Sequence, residues 1–563
     1  MPKNSAERLD AVEFLHMPDQ LFHAPFIDKM APVVARSAIP YSARMILFGW
    51  PLVFSVMIFS ILVLAFRSDD QLTLPEIVLI AMMALLSGWE ALSTANAILG
   101  FKVPQIIGSR REAQSLTVAI LVTLRDETAK DVISGKLGLL RSLHHTSNHR
   151  FSLHVLSDSR SAARIARERQ LVRAALPLPV SYHNRSENID FKSGNIRNWV
   201  VTLGWAFDAY IILDADSELD PATALTLADS LSSDPACGLI QTVPVVLPGS
   251  TCWQRMQSVA SRLYGRLQGR GLSMWMGNEA NYYGHNAIVR TKAFATCAGL
   301  PHLKGRGLWN GTILSHDFVE AALLRRAGWS VRLLQTETGS YEQAPSDVIS
   351  YLKRDARWCL GNFQHTRILN ASGLHAISRF HLLSGVFTYL LSVVWLATLL
   401  LWGALDVTQT GVGGMFATSA VVLVATNLLL PRVLGVIQAM AREPGLGRTM
   451  AKAALIETVF SSLVAPSLML QRVLIIGQVL TNRRITWEPH EKASRGLPDY
   501  CIFHVVEVLV SFGLLACIER GFLTVWFLPL AVCFAMTPFL SWLSARPARS
   551  VSDMNVHTAK PLS

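Results

Sequence analysis

Ile211-Ile212-Leu213-Asp214-Ala215-Asp216-Ser217 is an apolar run that stops at two carboxylates one residue apart, with Glu218 and Asp220 close behind. Such a run reads as a buried strand delivering its C-terminal end to a cleft. That edge is where open α/β sheets bind ligands. Paired carboxylates there suit a divalent cation, because hard cations take a few carboxylates and complete their shell with phosphate oxygens. The competing reading is a helix start, with Asp216 capping the segment that follows Pro221.

Upstream, Leu116 to Thr123 is a continuous β-rich run followed by Arg125-Asp126-Glu127, and Phe151 to Leu156 is a shorter one closed by Ser157-Asp158-Ser159. Helical patterns follow each, to about His145 and from Arg160 to Ala175, and Lys192-Ser193-Gly194-Asn195 opens another. Gly238 to Val243 reads as a further strand. Strands alternating with helices predict a largely parallel, doubly wound sheet. Three of its strands then end in acids at one edge: Asp126, Asp158 and the Asp214/Asp216 pair. Each acid alone is equally a helix cap. No Gly-x-Gly-x-x-Gly and no phosphate-binding P-loop follows the first strand, which disfavours a dinucleotide oxidoreductase or an ATP-driven transporter.

This α/β stretch is an insert. The chain has 563 residues, of which 51% are hydrophobic, and its mean hydropathy of +0.34 is too high for a soluble enzyme throughout. Apolar blocks long enough to span a bilayer occupy Met45 to Phe66, Ile77 to Phe101, Leu382 to Leu405, Gly411 to Leu430, Cys501 to Ile518 and Phe522 to Leu543. Ala453 to Leu480 is apolar but holds Glu457, Pro466 and Arg472, and reads as interfacial or re-entrant helices broken at Pro466; six to eight spans result. The expected organisation is a polytopic membrane protein: an N-terminal segment 1–43, two helices over 44–101, the α/β domain over 102–370, a membrane region over 371–545 and a tail 546–563. About forty polar, Pro-containing residues precede a first span too long for a signal h-region, so no secretory signal is expected. Lys and Arg total 51 against 40 acids. They crowd the insert and the segments Arg442–Lys452, Arg483–Arg495 and Arg546–Lys560, which places these on the cytoplasmic side. Anionic lipid and a phosphorylated substrate account for that charge without any nucleic-acid partner. The seven cysteines form no Cys-x-x-Cys pair, so neither a zinc site nor a disulfide framework is expected. Glu90, His504 and Glu507 fall at membrane depth, either lining a pathway or packing helices.

Later in the insert, Asn281-Tyr282-Tyr283-Gly284-His285-Asn286 joins aromatics to a polar turn, readable as local core or as a sugar platform. Asp317 sits in the first turn of a helix from Leu314 to Ala327, favouring the helix dipole or acting as a general base beside His316. On a helix, Arg354, Arg357 and Trp358 share one face. Guanidiniums suit a diphosphate and the indole a sugar ring; a basic helix lying on the membrane is the alternative.

With these residues in order, the chain resembles the processive family-2 glycosyltransferases of the cellulose-synthase-like kind, and within them the branch that makes osmoregulated periplasmic glucans. The matching stretches are Leu156–Ser159, Lys192–Ile196, Leu213–Ser217, Gly284–Ile288, Leu314–Leu323, Arg325–Trp329, Gly339–Glu342 and Lys353–Asn362. The resemblance covers about residues 40 to 545. It implies a GT-A-like, Rossmann-like nucleotide-sugar-binding cytoplasmic domain inserted between transmembrane helices. It implies that Asp126, Asp158 and Lys192 lie at UDP-glucose, that Asp214 and Asp216 hold nucleotide and Mg²⁺ or Mn²⁺, and that Asp317 deprotonates the acceptor. Arg354 and Arg357 would meet the diphosphate, while Tyr283, Gly284, His285 and Trp358 border the acceptor. The expected reaction is inverting transfer of glucose from UDP-glucose to a growing β-1,2-glucan at the inner membrane, with export and a periplasmic branching or release partner. Two departures stand out: Arg354 replaces the superfamily's Gln, and the first strand ends Arg-Asp-Glu without the usual Pro-containing Asn-Glu. A non-processive glycosyltransferase acting on a lipid carrier, and a transporter whose insert is a regulatory nucleotide module, are the competing functions.

Overall fold

Residues alternate between two apolar layers along the insert's central strands, and that alternation sets the fold. In the computed structural model, which describes residues 15–28, 40–66, 72–102, 114–127, 129–336, 338–407, 415–442, 444–481 and 495–548, Ala119 and Leu121 pack into one core and Val118, Ile120 and Val122 into another. Tyr210 and Ile212 divide from Ala209, Ile211 and Leu213 in the same way. A strand buried on both faces must be apolar at every position, hence the continuous runs. The basic stretches at 483–494 and 549–560 lie outside the described residues.

The strands are β1 (Thr117–Leu124), β2 (Arg150–Ser157), β3 (Val180–Asn184), β4 (Ala209–Leu213), β5 (Glu218–Leu219), β6 (Cys237–Thr242), β7 (Val245–Val246), β8 (Ala287–Arg290), β9 (Ser330–Leu334) and β10 (Ser340–Glu342). Seven of them form one sheet in the order β3-β2-β1-β4-β8-β6-β9, and β5-β10-β7 form a small second sheet. The main sheet is largely parallel, as expected, with β8 as the strand that makes it mixed. β8 runs antiparallel to both β4 and β6. Around the sheet lie α3 (Ala129–Thr146), α4 (Ala162–Arg173), α5 (Phe191–Leu203), α6 (Pro221–Ser232), α7 (Cys252–Ala260), α8 (Arg266–Met276), α9 (Thr291–Cys297), α10 (His316–Arg326) and α11 (Val348–Gln364). The described N-terminal stretch also lies on the insert, where Gln20 N–H donates to the Gly299 carbonyl at 2.9 Å.

The flanking helices are α1 (Tyr41–Phe66), α2 (Leu74–Lys102), α12 (Ala376–Val407), α13 (Met415–Arg442), α14 (Gly447–Leu480), α15 (Leu497–Phe503), α16 (Val505–Glu519) and α17 (Leu528–Ser544). Six helices among the described residues are long and apolar enough to cross a membrane, and the α15–α16 pair, bent by 69°, is a further candidate. The chain is a multi-pass membrane protein. α14 does not break at Pro466; it is one helix of 34 residues. A proline removes one backbone donor, and packing on both sides keeps the helix intact.

α14 passes the length and hydropathy test for a span, yet its position argues for another role. Near its start, Met450, Ala453 and Ala454 pack on Val259 and Leu263. Near its end, Ile475, Ile476 and Val479 pack with Val348 and Leu352 of α11. Those contacts are separated by about 43 Å of helix at 1.5 Å per residue, more than the ~30 Å hydrocarbon thickness. A helix that touches the insert at both ends lies along it. By contrast, each remaining membrane helix has one end on the insert. Arg44 of α1 pairs with Glu279 at 2.6 Å, and Gly100 of α2 packs so tightly on the Leu267 carbonyl that a Cβ would not fit. His375, just before α12, approaches Glu279 at 3.1 Å. Val436 and Ala439 of α13 pack beside Tyr264. Arg495, ahead of α15, meets Asp347 at 3.4 Å, and the Arg546 carbonyl past α17 accepts from Cys252 N–H at 2.9 Å. The core shared by Phe54, Ile58, Leu62, Phe66, Leu79, Ile80 and Ala420 contains no residue of the insert.

Candidate active site

Register brings the acids together. β1 pairs Val122 with Leu213 of β4, so Thr123 and Asp214 leave the sheet side by side, and Thr123 Oγ1 donates to Asp214 Oδ1 at 3.2 Å. β1 also pairs Leu124 with Ser157, which sets Arg125-Asp126-Glu127 beside Asp158. Because β8 is antiparallel, with Ala287 opposite Ile212, the Gly284-His285-Asn286 turn enters at the edge where β4 ends. Asn286, with a positive φ of 50°, locks that turn to the second sheet by donating to Ser340 Oγ at 2.9 Å and the Tyr341 carbonyl at 3.0 Å.

Lys192 is the hub. It sits in the first turn of α5, after Asp190 and Phe191 in left-handed conformations (φ 57° and 48°). Its ammonium donates to Asp214 Oδ1 and, at 2.8 Å, to the Gly284 carbonyl. Burial pushes the Asp214 carboxyl up, but the charges of Lys192 and His285 and the hydrogen bonds from Lys192 and Thr123 together hold it below the usual range. Gly284 has φ +85°, and a Cβ there would lie 3.3 Å from Asp317 Oδ2. The base candidate thus lies against the turn whose carbonyl takes the Lys192 ammonium.

Asp317 lies in the first turn of α10. Burial raises its pKa above the ordinary carboxylate value, aided by Glu320 and opposed by His316 and Lys192. His316 Nδ1 stands 3.0 Å from Glu320 Oε1, and Glu320 is only 2% exposed. Tyr283 flanks the same point: burial, then the Asp317 charge, pushes its phenol to about 12, and its N–H donates to Gln241 Oε1 at 2.9 Å. His285 holds Ser217 Oγ at 3.0 Å through Nδ1 and approaches Glu342 at 3.5 Å through Nε2.

Across from these acids stand cations. On α11, Arg354 lies over the Trp358 ring at 4.6 Å, and that indole is 46% exposed. Burial, then the guanidiniums of Arg354 and Arg125, lower the Arg357 pKa. Three like charges in one corner form a site that a diphosphate would stabilise.

Two expected nucleotide contacts are already engaged. Asp158 is gripped by Arg185 in bidentate fashion at 2.7 and 2.9 Å. Asp126, with φ 62°, is 3.4 Å from Arg164. The structure also adds residues to the edge. Burial, with Asp214 and Asp216 adding to it, lifts Glu127 to about 7. Glu342 is likewise raised by burial and by Asp216 and Asp214, against His285 and Arg354. Lys136, 5% exposed, reaches from α3 to the Ser217 carbonyl and pins the turn after Asp216. Glu127 was visible as the acid next to Asp126. Lys136 and Arg185 carried no local signal, since a helix face and the end of an unrecognised strand supply them, and Glu342 stood only within the matching stretch Gly339–Glu342 with no role attached.

Among the described residues no three His, Cys, Asp or Glu side chains are grouped to hold a metal by themselves. Asp214, kept ionised, and half-buried Asp216 instead fit a cation that takes one or two carboxylates and completes its shell with phosphate and water. The His504–Glu507 pair is fully buried and bonded to Ser467 and Gln471, whereas Glu90 is exposed on α2.

A mixed sheet whose acid-lined edge faces cationic side chains, set between membrane helices, is that of a GT-A-like glycosyltransferase, and residues 210–433 match the family described as glycosyl transferase family group 2. The chain is 35% identical over 556 residues to the glucans biosynthesis glucosyltransferase H of Vibrio cholerae, spanning 88% of this chain and 76% of that protein. It is 33% identical over 522 residues to the protein of the same name from Rhodopseudomonas palustris, spanning 85% and 72%. The chain belongs to the glucans biosynthesis glucosyltransferase H family. Among solved structures, a mannosyltransferase from Pyrobaculum calidifontis in complex with GDP-mannose and Mn²⁺ aligns at a TM-score of 0.46 and 14% identity, over 73% of this chain and 100% of that one.

Proposed function

We propose that the protein transfers glucose from UDP-glucose, with inversion, to a growing β-1,2-glucan at the cytoplasmic face of the inner membrane and passes the product outward. The observation that carries the reading is the linkage Asp214–Lys192–Gly284–Asp317, which joins a nucleotide-binding carboxylate to a base at the acceptor turn. Asp317 takes the acceptor hydroxyl proton as that oxygen attacks the anomeric carbon from the face opposite UDP. Its raised proton affinity suits the task, because a base should titrate near working pH. Arg357, with Arg354 and Arg125 close by, meets the charge that develops on the departing diphosphate. Trp358, Tyr283 and His285 border the sugar. A divalent cation held by Asp214 and Asp216 would neutralise diphosphate charge. Asp126, Asp158 and Lys192 serve the donor: Asp158 and Arg185 together offer both hydrogen-bond polarities to a uracil or ribose edge.

The ends of six spans support the topology. α1, α2, α12, α13, the bent α15–α16 pair and α17 cross, α14 lies at the interface along the insert, and the N-terminal segment, the insert and the tail share the cytoplasmic side. The β-1,2 linkage and a periplasmic branching or release partner come from family membership. The test uses purified full-length protein in proteoliposomes, offered single UDP-sugars with Mg²⁺ or Mn²⁺, followed by linkage analysis. A β-1,2-glucan from UDP-glucose that disappears with EDTA supports the reading. A product one sugar long on a lipid, or turnover of another sugar nucleotide only, overturns it.

A further inference from the structure

Asp355 interrupts the face of α11 that serves the cleft. Arg354, Arg357 and Trp358 share one side of the helix, and Asp355, one residue on from Arg354, turns about 100° away. It is 2% exposed. Its Oδ2 accepts from Arg472 Nε of α14 at 2.9 Å, and its Oδ1 accepts from Tyr389 Oη of α12 at 3.1 Å. Arg472 also donates to Tyr351 Oη at 3.2 Å and lies 5.7 Å from the Tyr389 ring centroid. One buried ion pair therefore joins the acceptor helix to two helices outside the insert. The neighbouring residue on α14 reaches elsewhere. Gln471 donates to Glu507 Oε1 at 2.8 Å, where His504 Nδ1 also sits at 2.8 Å, at the 69° bend between α15 and α16.

Stability alone does not account for this arrangement, since apolar residues often replace a buried ion pair at no loss. What the pair supplies is register. Slipping α11 by one residue would turn Trp358 and Arg357 off the cleft and leave two buried charges unmatched.

We propose that Asp355 and Arg472 are positioning residues for glucosyl transfer, holding α11 so that Trp358 faces the acceptor and Arg357 the diphosphate. The inference rests on the glucan-synthase reading above. Loosening α11 leaves the donor site on the β4 edge in place but lets water take the acceptor's position. Water oxygen then bonds to the anomeric carbon, the bond from that carbon to the UDP oxygen breaks, and Asp317 takes the water proton, giving free glucose and UDP.

The experiment compares full-length wild type, Asp355→Asn, Arg472→Gln, Arg472→Lys and the exchange Asp355→Arg with Arg472→Asp. UDP affinity, UDP release and glucose incorporated into polymer are measured separately. Wild type should incorporate one glucose per UDP released. Asp355→Asn and Arg472→Gln should keep UDP affinity, release several UDP for each glucose incorporated, and lose about a hundredfold in polymer. The exchange should restore part of the polymer yield, and Arg472→Lys, which keeps charge but not the planar fork, should fall between. Single variants that keep wild-type stoichiometry overturn the inference. So does a loss of UDP affinity in parallel with polymer in every variant, which marks the pair as structural only. Wild type that releases no UDP from UDP-glucose overturns the function itself and the inference with it.

Discussion

At the residue scale, the site separates two duties that carboxylates alone do not distinguish. Lys192 and His285 hold Asp214 ionised, whereas Asp317 is driven the other way by burial. Asp317→Asn should leave UDP binding nearly intact while turnover falls by about 10²–10⁴-fold, the usual contribution of a positioned base; UDP titration beside a rate assay checks both halves. The sign of the pH dependence follows. Asp317 is active when deprotonated and its folded pKa is raised, so activity falls with acidification at a pH above the ordinary carboxylate value. Lys192 opposes that rise, so Lys192→Met should move the acid limb of the pH–rate profile to higher pH, in addition to weakening the donor site. Gly284 is held by two constraints, its φ of +85° and the 3.3 Å approach of Asp317 to a Cβ. Gly284→Ala should cost about 1–3 kcal/mol of backbone strain and displace the base, read as a lower kcat.

Among the elements, β8 and α11 decide what meets at the edge. β8 enters antiparallel and so carries Gly284–Asn286 to the end of β4; a parallel strand would have placed that turn at the opposite edge. α11 is fixed at its start by Asp347, which accepts from Ser350 N–H at 2.7 Å and approaches Arg495 at 3.4 Å. Val348 N–H of the same turn donates to Ser544 Oγ of α17 at 3.2 Å. Asp347→Ala removes a helix cap, worth about 1 kcal/mol, and leaves Arg495 without this partner. A lower midpoint of thermal unfolding, with polymer yield falling more than UDP affinity, is the expected result.

The whole molecule is organised by the ends of its membrane helices. In the proposed topology six spans return to the insert and α14 lies along it. A cysteine at Glu519, the last residue of α16, should therefore react with a membrane-impermeant maleimide on intact cells in a cysteine-free background, and one at Gly445, ahead of α14, should not. Labelling at neither position would mean that α14 crosses as well.

What the sequence by itself determined was the kind of chain: apolar blocks around an α/β insert, β1, β2, β4 and β6 as apolar runs, and acids at strand ends. These are local signals, since a buried strand must be apolar along its length and a helix face must repeat. Asp214, Asp216 and Asp317 were legible because acids at the end of an apolar run or in a first turn stand out. What only the tertiary structure decided was long-range pairing. The antiparallel placement of β8, the capture of Asp158 by Arg185 and of Asp355 by Arg472, and the inward reach of Lys136 and Glu342 join residues 27 to 117 positions apart. No periodicity encodes such partners, because each depends on the register in which distant elements pack.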